Sequence, residues 1–353
     1  MGKIKVGIIG AGNISNFHMA GYKELDNVEV IAACDINEER VKAYAEKHGI
    51  KHVFTDYNEM LKMKEIDAVS VCTWNNGHAP ASIAALKAGK NVLCEKPLAM
   101  NVAEAEEMER VAKEAGKLLM VGFVRRFGQN TNILNDFIKN DHLGDIYYAK
   151  TSCVRRCGNP GGWFSDNKRS GGGPLIDLGV HVIDLSRFLM GKPKAVSVSG
   201  ATFNNIGFRG NIKALDRYMP ADPDEYCDVE DLAVAMIKFD NGAVLSVETS
   251  FSMNIKEEVL SLELFGTKAG AILEPKLELY SEQEGYLVDI TPNYSKDEAP
   301  FRNNFKNEVK HFVDCIANGT ECLNPAEDGV EIMRILEAIY ESAKTGKEVI
   351  IKR

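Results

Sequence analysis

Asp177, His181 and Asp184 stand four and three positions apart, just after the run Gly171-Gly172-Gly173-Pro174. On a helix these spacings form one polar stripe, beside an apolar stripe of Leu178, Val182, Leu185 and Leu189. A carboxylate one turn from an imidazole orients the ring and raises its basicity, as a general base near neutral pH requires. Two other readings fit the pattern. The spacing would also suit a metal, but one His with two Asp and no second His or Cys is a thin ligand set, so no metal is expected. A plain solvated face is the other, and against it stand the three glycines, which let a ligand or cofactor approach the backbone. A second candidate is Lys96 in Cys94-Glu95-Lys96-Pro97. A residue before proline is kept out of the helical region and its peptide bond can be cis, so the turn fixes the direction of the ammonium group.

The elements that must position these groups begin at the N-terminus. Ile4 to Ile9 is an apolar run that leads into Gly10-Ala11-Gly12-Asn13-Ile14-Ser15, and residues 14–21 read as helix. In a strand, tight turn and helix of this kind, Gly10 allows the turn. Gly12 lets the backbone approach a pyrophosphate held on the N–H groups of the helix N-terminus. Ser15 replaces the usual third glycine with another small residue. A second strand, Val28 to Cys34, ends in Asp35, whose carboxylate is placed to accept bonds from ribose hydroxyls and to repel a 2′-phosphate. NAD is therefore expected in preference to NADP. Taken alone, Asp35 would more commonly open a turn or cap the helix over 37–47.

Further strands are expected at 66–73, 91–94 and 118–123, alternating with helices, which argues for a parallel sheet covered on both faces. Ligands lie beyond the carboxyl ends of such strands. Two loops there carry polar groups: the one with Lys96, and Thr73-Trp74-Asn75-Asn76-Gly77-His78-Ala79-Pro80, ahead of a helix with Pro80 in its first turn. Asn75 and His78 are within reach of the nicotinamide half of a cofactor, or serve as turn and capping residues. Beyond residue 124 the pattern changes to strands at 145–153, 195–201, 232–239, 243–251, 259–265 and 277–280, with a hairpin signal at Asp240-Asn241-Gly242. Helices are expected at 131–139, 177–189, 304–317 and 326–344. The fold class is α/β, with a parallel-sheet domain over 1–123 and an α+β domain with a mostly antiparallel sheet over 124–353.

The 353 residues suffice for two domains with a core each, and a net charge of −9 gives no footprint for nucleic acid or an anionic membrane. No apolar run approaches the ~20 residues of a membrane helix, and the N-terminus reads as a strand where a signal peptide would need an apolar segment. The eight cysteines include no Cys-x-x-Cys pair, which suits a reduced, cytoplasmic protein.

Gly-x-Gly, Thr-x-Asn-x-x-His, Glu-Lys-Pro, Arg-Arg-Phe and Gly-Gly-Gly-x-x-x-Asp-x-Gly-x-His-x-x-Asp, in this order, resemble the glucose-fructose oxidoreductase and inositol dehydrogenase (Gfo/Idh/MocA) family. The resemblance extends to the segment 329–347. It implies a Rossmann domain followed by an open-faced α/β domain, with Lys96, Asp177 and His181 as the catalytic set. Gly10, Gly12, Asn13, Ile14, Asp35, Thr73, Trp74, Asn75, His78, Glu95 and Lys96 are then expected around NAD. Trp74 stands where the family has Pro. Asp184 matches a position that touches substrate hydroxyls, and Trp163 is placed to stack on a sugar ring or to anchor its loop. Arg126 and Arg156 lie among arginines that would read a carboxylate or phosphate on the substrate, face solvent, or contact another subunit. The expected reaction is hydride transfer between NAD and a secondary carbinol carbon of a sugar, sugar derivative or cyclitol. An NAD-dependent glycosidase acting by transient oxidation, or a sensor of NAD or sugar, are the alternatives. Because the strand over 232–239 is apolar on both faces, a homodimer or homotetramer through the second domain's sheet is expected.

Overall fold

The computed structural model describes residues 2–209, 212–213, 226–295 and 297–353. It comprises two compact units, Met1–Val124 with Phe301–Met333, and Arg125–Pro300 with Arg334–Arg353.

In the first unit, strands Ile4–Ile9 (β1), Val28–Cys34 (β2), His52–Phe54 (β3), Ala68–Val71 (β4), Asn91–Cys94 (β5) and Leu119–Val121 (β6) form a parallel sheet in the order β3-β2-β1-β4-β5-β6. The strands read as unbroken apolar runs because both faces are covered; Val6, Ile8, Val69, Val71, Val92 and Leu93 are wholly inaccessible. Strand order reverses between β1 and β4, which opens a crevice at their carboxyl ends. The connecting helices are Asn13–Tyr22 (α1), Glu38–His48 (α2), Tyr57–Leu61 (α3), Asn75–Lys87 (α4) and Val102–Ala115 (α5). At α5 the Asn101 side chain accepts the Glu104 N–H, and Gly116 ends the helix in the left-handed region. Pro80 lies inside α4 rather than in its first turn, because the polar loop residues Asn75 to His78 are themselves the first turn.

The second unit holds a nine-stranded sheet of Ile146–Val154 (β7), Ala195–Phe203 (β8), Leu232–Phe239 (β9), Val244–Ser250 (β10), Val259–Gly266 (β11), Ala269–Glu274 (β12), Glu278–Gln283 (β13), Tyr286–Ile290 (β14) and Val349–Ile350 (β15). Their order is β14-β13-β12-β11-β7-β10-β9-β8-β15, antiparallel throughout except for the β7–β10 pair. The Asp240 to Gly242 turn joins β9 to β10, with Gly242 at φ 84°. Helices Gln129–Lys139 (α6), Asn167–Ser170 (α7) and Val180–Leu189 (α8) follow, and Pro300–Asn318 (α9) and Ala326–Thr345 (α10) come late in the chain. Leu178 and Val182 pack on Cys153 and Phe251, so one face of the sheet is covered here.

Residues 301–333 return to the first unit. The apolar face of α9 packs there: Phe305 lies 5.1 Å from Phe17, and a Cβ on Gly21 would sit 2.9 Å from Val309. Met120 then bridges to Pro325, and the Asn324 amide donates to the Val121 carbonyl. An amphipathic helix announces one buried face but not the surface it will cover. Among the described residues, no helix is long and apolar enough to cross a membrane.

Candidate active site

The glycine turn after β1 uses its two glycines for different purposes. Gly10 has φ 95°, and a Cβ there would stand 2.5 Å from the Cys72 carbonyl oxygen. Gly12 has an ordinary φ of −81°, but a Cβ there would meet nothing within 4 Å. Its bareness leaves open space over the start of α1, which has no side-chain cap bond and no acidic residue in its first turn. Asn13 is exposed and Ile14 half-buried at that end. Buried Ser15 donates its hydroxyl to the Gly12 carbonyl at 2.7 Å, so it braces the turn from within. The Asp35 carboxylate accepts the Ala11 N–H at 2.8 Å and the Asn37 N–H at 2.9 Å, tying the end of β2 to the turn. An anion-accepting helix end, an open approach and a carboxylate beyond the second strand fit a dinucleotide. The Arg40 guanidinium, brought back by the first turn of α2, lies 3.7 Å from Asp35.

Beyond β5, the Lys96–Pro97 peptide is cis. From Val92 to Ala99 only Lys96 is not buried. Its neighbour Glu95 is held from two sides. The carboxyl bonds the His18 ring at 2.8 Å and accepts the Lys96 N–H at 3.2 Å, while His18 reaches Ser70 at 3.2 Å through its other nitrogen. Burial alone would push the Glu95 carboxyl up, but the bond and charge of His18, with Lys96 and His78 nearby, hold it below the usual carboxylate range. His18 was invisible as a functional residue, because a lone histidine inside a helix carries no motif. His78 Nδ1 donates to the Pro97 carbonyl at 2.6 Å, and Nε2 faces the Thr73 carbonyl at 3.2 Å. Burial pushes this imidazole down, against the pull of the Pro97 carbonyl. His78 thus staples α4 to the lysine loop rather than facing outward, and Asn75 beside it is also buried. Thr73 and Trp74 are half-buried, and the Thr73 hydroxyl donates to the Trp74 carbonyl at 3.0 Å.

In the second unit, residues Leu175–Gly179 form a π-helical turn that runs into α8. Such turns insert an extra residue and recur at functional positions. Between Gly172 and Arg187 only Asp177 and His181 are not buried, while the expected apolar stripe is. The glycines before them serve another purpose than ligand approach. A Cβ on Gly172 would collide with the Tyr340 hydroxyl, and one on Gly173 with the Glu230 carbonyl. Glu230 accepts the N–H groups of Gly173 at 2.9 Å and Leu175 at 3.1 Å, and the Tyr340 hydroxyl at 2.9 Å. Burial pushes the Glu230 carboxyl up, against those three donors. The glycine run is therefore a packing seat for a remote carboxylate and phenol, which no local pattern announces.

Asp184 belongs to the same helix but not to the accessible pair. It is 1% exposed and meets Arg126, 0% exposed, in a two-point ion pair with N–O distances of 3.0 and 2.5 Å. The Arg126 guanidinium also lies 4.8 Å from the centre of the Phe188 ring. Two residues expected to meet substrate thus bind each other. Arg156 is exposed, with its guanidinium 3.5 Å from the Lys256 carbonyl, and half-buried Trp163 stacks on Phe164 at 3.9 Å.

Comparison with known proteins places the whole chain in one family. Residues 4–123 match the model of an oxidoreductase family with an NAD-binding Rossmann fold, and residues 136–351 match that family's C-terminal alpha/beta domain. The chain is 36% identical over 349 residues to D-glucoside 3-dehydrogenase of Escherichia coli K12, covering 98% of this chain and 97% of that one. It is 28% identical over 357 residues to myo-inositol 2-dehydrogenase of Thermotoga maritima, covering 98% and 98%. An oxidoreductase domain protein from Kribbella flavida superposes with a TM-score of 0.86 at 25% identity over the full length of both chains. With both of its domains matched, the chain belongs to the Gfo/Idh/MocA family and is an NAD-dependent oxidoreductase.

Proposed function

We propose that the protein is a dehydrogenase of a secondary carbinol in a sugar, sugar derivative or cyclitol. The observation that carries this reading is selective exposure: Lys96, Asp177 and His181 are the accessible groups in two otherwise buried stretches. His181 takes the hydroxyl proton and Asp177 orients its ring. Lys96 stabilises the alkoxide that develops, as a fixed positive charge does where water is excluded. NAD, when bound, supplies the hydride acceptor. The nucleotide is held by the Gly10 to Ile14 turn and Asp35, with Thr73, Trp74, Asn75, His78, Glu95 and Lys96 forming or bracing the nicotinamide end. Trp163 and Arg156 are the proposed substrate contacts of the second domain, residues 124–353.

We further infer a homodimer or homotetramer that pairs through the uncovered face of the nine-stranded sheet. Phe203 and Met236 are exposed there, on strands that also present Leu232 and Val234 to the same face by register. None of the eight cysteines is joined in a disulfide, which supports a reducing, cytoplasmic location. The activity is tested by incubating the protein with NAD and a panel of sugars, glycosides and cyclitols and following NADH. One NADH per product supports a dehydrogenase. Substrate consumed without net NADH would instead assign transient oxidation, and no turnover on any member would leave only binding.

A further inference from the structure

His311 and Cys315 lie one turn apart on the same face of α9, with Cys315 in the last turn of the helix. Gly319, at φ 67°, then reverses the chain and brings Cys322 back beside them. One ring nitrogen of His311 and the two sulfurs all lie within 4.8 Å of one another, and the Cys315 sulfur is 3.5 Å from Nε2. Zinc bonds of about 2.3 Å to sulfur and about 2.1 Å to nitrogen, set at the tetrahedral angle, require a sulfur-to-nitrogen edge of about 3.6 Å. The observed edge already has that length. The Leu323 N–H donates to Nε2 at 2.9 Å, so this nitrogen carries its lone pair, as a ligand must. The carbonyl end of α9 favours a cation here as well.

We propose that His311, Cys315 and Cys322 form a binding site for a thiophilic divalent cation such as zinc. Both thiols lose their protons to solvent as the metal–sulfur bonds form, and Nε2 exchanges the Leu323 N–H for the metal. His311 and Cys322 are half-buried, which leaves room for water as the fourth ligand. The site clips the end of α9 to the connection that carries Asn324 and Pro325 onto β6.

The test uses the full chain, reduced and freed of metal, titrated with Co²⁺ and then Zn²⁺. One Co²⁺ per chain with thiolate-to-cobalt charge-transfer absorption, displaced by Zn²⁺, is the expected result. Cys322→Ser should weaken Zn²⁺ binding by at least the ~10- to 100-fold that loss of an outer-shell partner costs, while dehydrogenase turnover stays unchanged. No thiolate band, or a band that persists in the Cys315→Ser/Cys322→Ser double variant, overturns the proposal. Should that double variant fail to fold, alkylation of Cys322 in the folded wild type gives the same answer. Protection by Zn²⁺ but not Mg²⁺ supports the site, and equal alkylation with and without Zn²⁺ rejects it.

Discussion

If His181 takes the hydroxyl proton, His181→Ala leaves NAD affinity intact, lowers turnover by ~10²- to 10⁴-fold and flattens the acid limb of the oxidation rate profile. Near-wild-type turnover with an unchanged acid limb would make His181 a structural residue. Lys96→Met should lower turnover by a similar factor, and the double variant should lose less than the two factors multiplied if both groups act on one oxygen. At the other end of the cofactor, Asp35 should make NAD bind better than NADP, and Asp35→Ser should narrow the difference. Titration of the wild type and of Asp35→Ser with both nucleotides reads this, and equal affinities in the wild type would remove the role. Arg40, 3.7 Å from Asp35, sharpens the expectation, since loss of the carboxylate leaves a guanidinium beside the position of a 2′-phosphate. The same variant also loses the bond to the Ala11 N–H, so some NAD affinity goes with it.

At the scale of one element, α8 separates residues that share a stripe in the sequence. His181 is accessible, whereas Asp184, three positions on, is sealed against Arg126. Removing one member of a fully buried ion pair strands the other charge and typically costs about 3–5 kcal/mol. Asp184→Asn is therefore expected to lower unfolding stability by that amount in urea titration, and replacement of both partners by apolar residues should recover much of it. A stable Asp184→Asn protein with only a raised KM would instead restore Asp184 to substrate binding. The ends of α5 and the Asp240 to Gly242 hairpin were legible because caps and tight turns are encoded by adjacent residues. The edge strands β3 and β14, three and five residues long, were not, since short edge strands carry too few alternating positions to show a period.

For the molecule as a whole, the sheet of the second unit has unequal faces. Ala233, Ile237 and Phe239 of β9 are buried, while Met236 and Phe203 on the opposite face are 50% and 43% exposed. Pairing of that face between copies predicts a dimeric or tetrameric mass in sedimentation at micromolar concentration, and charge substitution at Met236 should shift it toward the monomer. A wild type that already sediments as a monomer would reject the proposed assembly. Ser246 and Glu248 keep part of this face polar, as an interface that also meets water requires.

The sequence by itself determined the parallel order of strand and helix and the glycine turn, and it offered Asp35, Lys96, Asp177 and His181 as candidates, because each is written in contiguous residues with a fixed period or turn chemistry. Tertiary structure alone decided which polar residues stay accessible. Asp184 closes on Arg126 58 positions away, His18 holds Glu95 77 positions away, and Glu230 and Tyr340 fill the space left bare by Gly172 and Gly173. It also decided that residues 301–333 return to the first unit. Periodicity records that a face will be buried, but the partner that buries it is chosen by packing across the chain, which no local spacing contains.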